Sequence, residues 1–81
     1  MTLESIKAAV KQLYETNPNI HIDVALSHPR LELEGDPVVI KGVYPNVFRI
    51  EETSSSSSPI CHTLQYADVM IGRIKILELN K

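Results

Sequence analysis

Residues 41–50 have the sequence KGVYPNVFRI, and this stretch predicts the β-hairpin around which the rest of the chain is organised. Side chains alternate on both sides of the turn, so Ile40 and Gly42 share one face with Phe48 and Ile50. We expect Ile40 opposite Ile50 and Gly42 opposite Phe48, where the missing glycine side chain leaves room for the ring. Burial of this face should set the register, since a slip of one residue would move every side chain to the other side.

The second face of the predicted hairpin carries two cations. The same register places Lys41 directly opposite Arg49, where like charges cost stability unless a group such as Glu51 compensates. Arg73 and Lys75 share a face of the last predicted strand. We therefore expect a basic patch made of these four cations, in a chain whose net charge is −2. The alternative interpretation is a solvated face whose cations have local glutamate partners.

Two motifs in the chain resemble those of the Veg family of small bacterial proteins. The hairpin turn reads YPNVF at residues 44–48, and YADV follows at residues 66–69. The opening TLESIK, residues 2–7, is also similar to the start of family members, so the likeness covers nearly the whole chain. One departure is residues 27–36, which are mixed to acidic where the family carries a basic, glycine-rich segment. The motif residues are Tyr44, Pro45, Val47, Phe48, Tyr66 and Asp68.

This resemblance implies a mainly β fold, a small SH3-like five-stranded barrel with one N-terminal α-helix. It also implies a regulatory protein that stimulates biofilm formation by acting on a transcriptional regulator. Tyr44 and Tyr66 each lie beside a predicted turn, where a ring packs and its hydroxyl reaches water or a backbone group. We therefore expect the motif residues to be structural.

Length and composition favour one small domain over residues 1–81, held together by packing alone. The single cysteine, Cys61, cannot form an internal disulfide and fits a reducing compartment. Glu4 and the lack of an apolar run at the start argue against a signal peptide, and no stretch approaches a membrane span. We expect a cytoplasmic protein without a membrane segment. Its net charge of −2 disfavours non-specific binding to nucleic acid.

Ahead of the hairpin the pattern predicts a helix over residues 3–15, with Thr2 as N-cap and a proline at its end. Residues 19–27 alternate strictly and predict a strand with its isoleucines on one face. Residues 35–37, Gly-Asp-Pro, predict a turn before the hairpin begins. The barrel would thus cover residues 19–79.

Behind the hairpin, five serines at residues 54–58 predict a mobile loop, with phosphorylation as the alternative. Residues 59–64 predict a strand and residues 66–70 a single 3₁₀ turn. Gly72 permits a reversal into a closing strand over residues 73–79. The inward side of that strand changes after residue 76, which predicts either a bulge or a strand covered on both faces.

The sequence contains no arrangement typical of catalysis. Cys61 and His62 are adjacent, but neighbours along a strand point to opposite faces, so we expect a buried or half-buried cysteine beside an ordinary histidine. His21 and Asp23 share a face without matching a zinc spacing. We expect no enzyme activity, no metal and no cofactor.

Two functions remain open for such a chain. The first is an interaction module that contacts a protein partner. The second is a nucleic-acid-binding small barrel that uses the four cations together with a tyrosine for stacking. The exposed strand edges of an open barrel would also allow a homodimer, by pairing across a two-fold axis.

Overall fold

The computed structural model describes residues 2–27, 30–53 and 60–79. The helices and strands within them are α1 (Leu3–Thr16), β1 (Asn19–Ser27), β2 (Arg30–Val43), β3 (Val47–Glu52), β4 (Ile60–Gln65), α2 (Tyr66–Met70) and β5 (Ile74–Ile76), followed by a 3₁₀ turn (Leu77–Leu79). The strands form one antiparallel sheet in the order β4-β3-β2-β1-β5. Strands make up 54% of the described residues, so the predicted mainly β fold with an N-terminal helix is confirmed. The serine run 54–58 lies outside the described residues.

Helix α1 follows from its cap and its apolar stripe. Thr2 and Ser5 form a capping box, in which each side-chain oxygen accepts the other residue's amide at 3.1 Å. Ile6 and Val10 are fully buried and place the helix against the core. The predicted helix is confirmed and extends one residue further, to Thr16.

The core lies between one face of the sheet, α1 and α2. Alternate residues of β1 point into it, as the strict alternation of residues 19–27 predicts. Phe48 and Ile50 of the hairpin are fully buried, which confirms the inward face proposed for β3. The buried set consists of Ile6, Val10, Ile20, Ile22, Val24, Leu33, Val38, Ile40, Phe48, Ile50, Leu64, Tyr66, Ile74 and Ile76.

The predicted hairpin forms, with residues 44–46 connecting β2 to β3, but its register is only partly as expected. Ile40 pairs with Ile50 as predicted, and then the register shifts, so that Gly42 pairs with Arg49 and Val43 with Phe48. The predicted pairs Gly42–Phe48 and Lys41–Arg49 are therefore wrong. The shift is a β-bulge around position 41, which turns Val43 to the inner side, where it packs against the core.

Gly42 makes room for a different ring from the one predicted. A Cβ atom at this position would lie 2.7 Å from the Tyr44 hydroxyl and 2.9 Å from a carbon of the same ring. Such distances are too short for real contacts, so Tyr44 can fold back over the strand only because residue 42 has no side chain. Gly42 thus leaves room for the Tyr44 ring, while the Phe48 ring is buried in the core.

The turn predicted at residues 35–37 is wrong, because Arg30–Val43 is one continuous strand. Gly35 has φ +60° and lies at a second register shift, and its amide donates to Asp23 Oδ1 at 2.6 Å. The strand therefore bends without reversing. The carbonyl of Pro37 accepts from the Thr53 amide at 3.3 Å, where the pairing with β3 ends, so the missing N–H of proline costs little there.

The closing strand is shorter than predicted. It spans Ile74–Ile76, and the chain then enters the 3₁₀ turn Leu77–Leu79. Glu78 contacts both the backbone and the ring of His21: Oε1 accepts a hydrogen bond from the backbone amide at 2.9 Å, and Oε2 lies 3.0 Å from Nδ1. A carboxylate thus takes the β1 amide that a longer β5 would have bound. The set of inward-pointing side chains changes after residue 76 because β5 ends there. The predicted alternatives, a bulge or a strand covered on both faces, are therefore wrong. The predicted reversal at Gly72, φ +88°, is confirmed.

Candidate functional site

The two motifs that suggested a family meet inside the protein. Tyr66 is 1% exposed, and its ring stacks on Phe48 with centroids 5.3 Å apart. Its hydroxyl donates to the Tyr44 carbonyl at 2.9 Å, and its amide to the Asn46 carbonyl at 3.4 Å. Burial raises the pKa of this hydroxyl. Tyr66 therefore ties the hairpin turn to α2, and its hydroxyl reaches a backbone group as expected.

The other motif residues extend the same junction. Val47 pairs with the last residue of β4 and is half-buried, while Pro45 is exposed in the connection. Tyr66–Met70 is a short α-helix and not the predicted 3₁₀ turn, since the Ile71 amide donates to the carbonyl four residues earlier. The backbone carbonyl of Asp68 accepts a hydrogen bond from the backbone amide of Arg73 at 3.0 Å, just before β5 begins. These contacts all join parts of the same fold.

The four cations of the predicted patch lie in two places. Lys41 forms an ion pair with Glu51, Nζ to Oε2 at 3.2 Å, so the compensation expected near the hairpin is present. Arg49 is exposed on the same outer side of the sheet. Arg73 and Lys75 line a cleft beside β5 whose described lining residues do not include Lys41 or Arg49.

This charged cleft has a volume of about 1060 Å³ and is open to solvent. Its charged lining consists of Asp23, Glu32, Glu34, Asp36, Arg73 and Lys75. Glu32 approaches Arg30 at 3.5 Å, whereas Arg73 and Lys75 form no ion pair within 4.0 Å with any described residue. Four carboxylates thus share one cleft with two cations that have no close partner among the residues described.

Two features of the strands shape the charged cleft. Alternation along the first half of β2 buries Leu33 and exposes Glu32 and Glu34. Just before the start of β5, the Ala25 amide donates to the Arg73 carbonyl at 2.8 Å, which holds the turn that precedes β5 against β1. Sequence reasoning paired Arg73 with Lys75 but missed the carboxylates. The Leu-Glu-Leu-Glu alternation of residues 31–34 is the signal that could have found them.

Cys61 and His62 point to opposite sides of β4, as expected. His62 lies on the inner side, where its Nε2 is 2.6 Å from Glu52 Oε2. Cys61 is exposed, so the expectation of a buried or half-buried thiol is wrong. Its position follows from the alternation of an edge strand that buries Leu64. The thiol and the imidazole are therefore not paired for catalysis.

His21 and Asp23 are both engaged in structural bonds, to Glu78 and to the Gly35 amide respectively. Burial by itself would raise the pKa of Glu78, but the hydrogen bonds and the charge of His21 together outweigh burial and hold this pKa below its ordinary value. Within residues 2–27, 30–53 and 60–79, no three side chains of His, Cys, Asp or Glu are grouped to hold a metal ion.

In the part of the chain that the structure describes, no helix has the length and apolar character needed to cross a bilayer. Comparison with protein-family models and with curated proteins finds no match for this chain.

Proposed function

We propose that this chain is a non-enzymatic, cytoplasmic interaction protein that contacts a protein partner through the charged cleft. The likeness to Veg proteins suggests that the partner is a transcriptional regulator linked to biofilm formation. The observation that carries the proposal is that Arg73 and Lys75 face Asp23, Glu34 and Asp36 in one open cleft, with no ion pair between them.

The fold that we propose is an SH3-like barrel. Support comes from the single antiparallel sheet, with its long β2 and two register shifts that allow the sheet to curl. The short helix between β4 and β5 is a further point of support. Both the core and the N-terminal helix lie on the inner side of this sheet.

The charges of the cleft favour a protein partner over nucleic acid. A phosphate backbone approaching Arg73 and Lys75 would also meet the carboxylates beside them, which repel it. A protein surface with both signs of charge can match both groups, and complementary charges of this kind provide specificity and faster association. On the outer side of the hairpin, Lys41 already forms an ion pair with Glu51.

The same lining argues for binding without chemistry. The residues that line the cleft include no described cysteine, serine, threonine or histidine, so none of the common pairs of a hydroxyl or thiol nucleophile with an imidazole base is present among them. The two His–Glu pairs of the described chain lie elsewhere. The cleft thus offers charge and shape for recognition.

The test compares two double variants with the same change in net charge. Arg73→Gln/Lys75→Gln neutralises the cleft, and Lys41→Gln/Arg49→Gln neutralises the outer side of the hairpin. Each protein is immobilised and exposed to bacterial extract, and circular dichroism checks its fold. We expect a retained protein whose recovery falls at least about tenfold with the cleft variant and is unchanged with the hairpin variant.

Equal recovery with both variants would contradict the cleft as the contact surface. A parallel titration with short single-stranded RNA and DNA at low salt tests the alternative function. Binding that weakens steeply as salt rises, and that the hairpin variant loses, would support a nucleic-acid-binding barrel in place of the proposed interaction protein.

A further inference from the structure

We propose that β4 pairs with β4 of a second copy of this chain, antiparallel and across a two-fold axis at Thr63. The two copies would then share one continuous sheet. This surface is independent of the charged cleft, so the dimer does not depend on the proposed function.

The outer edge of β4 is an unprotected template for pairing. No described strand pairs with it, and its six residues keep an unbroken register with β3. Residues 60–65, ICHTLQ, contain no lysine, arginine, aspartate, glutamate or proline. Natural edge strands are usually protected by charge, proline, a bulge or short length. The other edge strand, β5, is only three residues long and carries Lys75.

The hairpin determines which backbone groups of β4 point outward. The Tyr44 amide donates to the Val47 carbonyl, so residue 47 points toward β2 and Phe48 points toward β4. Phe48 pairs with Leu64, whose backbone groups are therefore used inside the sheet. The amides and carbonyls of Cys61, Thr63 and Gln65 consequently point away from the sheet, and all three residues are exposed.

These three residues form a self-complementary set. When Thr63 lies opposite Thr63 of the second copy, Cys61 lies opposite Gln65 of that copy, and each pair exchanges both backbone hydrogen bonds. Two β-branched threonines side by side form a favourable cross-strand pair. None of the paired side chains on the outer face is charged, so no like-charge cost opposes the register. An uncharged strand of matching alternation suits a second copy better than a charged peptide.

The first test is the mass in solution and its response to one substitution. Sedimentation velocity at micromolar concentrations should give a dimer for the native chain. Thr63→Pro removes an outward N–H and no bond to β3, so the fold should persist while the dimer dissociation constant rises at least about tenfold. If this variant fails to fold, Thr63→Lys should have the same effect, by placing two ammonium groups opposite each other.

The second test locates the axis. In a Cys61→Ser background, Thr63→Cys places a thiol beside its own copy, and a short bismaleimide should cross-link the dimer. Arg49→Cys in the same background is the control, because its position is three strand spacings, or about 14 Å, from its copy. A native monomer, a larger ring formed by β4–β5 pairing, or equal cross-linking at both positions would overturn the proposal.

Discussion

The close approach of Tyr44 to Gly42 predicts that Gly42→Ala destabilises the native chain but not a chain that lacks the Tyr44 ring. An alanine Cβ at position 42 would lie within 3.0 Å of three atoms of the Tyr44 side chain. Tyr44 is 46% exposed and its ring can move away, so the cost is the loss of the contacts that the ring makes in its present position. About half of the 1.5–3 kcal/mol typical of burying a large side chain gives roughly 1 kcal/mol of destabilisation for Gly42→Ala.

Without the ring, the same substitution should stabilise. Gly42 does not have a positive φ, so alanine can adopt its backbone conformation. At such positions Gly→Ala raises the free energy of unfolding by about 0.4–1 kcal/mol, because it lowers the conformational entropy of the unfolded chain. In a Tyr44→Ala background we therefore expect Gly42→Ala to be neutral or mildly stabilising. The coupling energy between the two sites would be about 1–2 kcal/mol.

This coupling is measured by urea denaturation, followed by far-ultraviolet circular dichroism. The four proteins compared are the native chain, the two single variants Gly42→Ala and Tyr44→Ala, and the double variant. The matched control replaces Tyr44→Ala with Tyr14→Ala, an exposed tyrosine on α1, and there the two effects should add within about 0.5 kcal/mol. If Gly42→Ala destabilises equally with and without the Tyr44 ring, the glycine is required for a reason other than the close approach of that ring.

Two further predictions concern hydrogen bonds between residues that are far apart in the sequence. Tyr66→Phe should lower the free energy of unfolding by about 1–2 kcal/mol in denaturant titrations, because the buried hydroxyl donates to a carbonyl that loses its partner. Glu78→Ala should cost about 1–2 kcal/mol at pH 7, since a charged acceptor of the His21 amide is lost. The pKa of Glu78 is lowered in the folded state, so its stabilisation is full above its ordinary value of 4.5 and is lost as pH falls through the folded value.

Each of these predictions has its own check. Tyr14→Phe makes the same chemical change at an exposed site and should leave stability unchanged, so an equal loss at both positions would refute the role of the buried hydroxyl. For Glu78, stability is measured from pH 7 down to pH 3. The gap between the native chain and the variant should narrow below about pH 4.5, and a gap that is constant with pH would contradict the contribution of the ionised carboxylate.

Local pattern was sufficient wherever a side chain's environment depends on its own strand or helix. Alternation placed Phe48 and Ile50 inside correctly, and the stripe along α1 identified Ile6 and Val10. The reversal at Gly72 could be predicted because few other residues accept φ +88°. These features require no knowledge of distant partners.

The failures in strand length and in the turn at residues 35–37 occur where a distant group decides the local backbone. The bend at Gly35 depends on a carboxylate on β1, and the end of β5 depends on a bond between Glu78 and His21, which are 57 residues apart. The bulge near Lys41 accompanies the packing of Val43 against the core. A turn at Gly35 would separate the carboxylates of β2 from Arg73, so the sequence pattern alone does not predict the charged cleft.

The charged cleft and the self-pairing edge lie at opposite ends of the strand order. The cleft is built from β1, the first half of β2 and the residues beside β5, whereas self-pairing uses the free edge of β4. Joining two copies through β4 would extend the sheet at one edge and leave each cleft uncovered at the other. The dimer would therefore present two identical clefts related by the same two-fold axis, and a partner that is itself two-fold symmetric could engage both at once. Simultaneous contact of this kind increases avidity without any new contact within a single cleft.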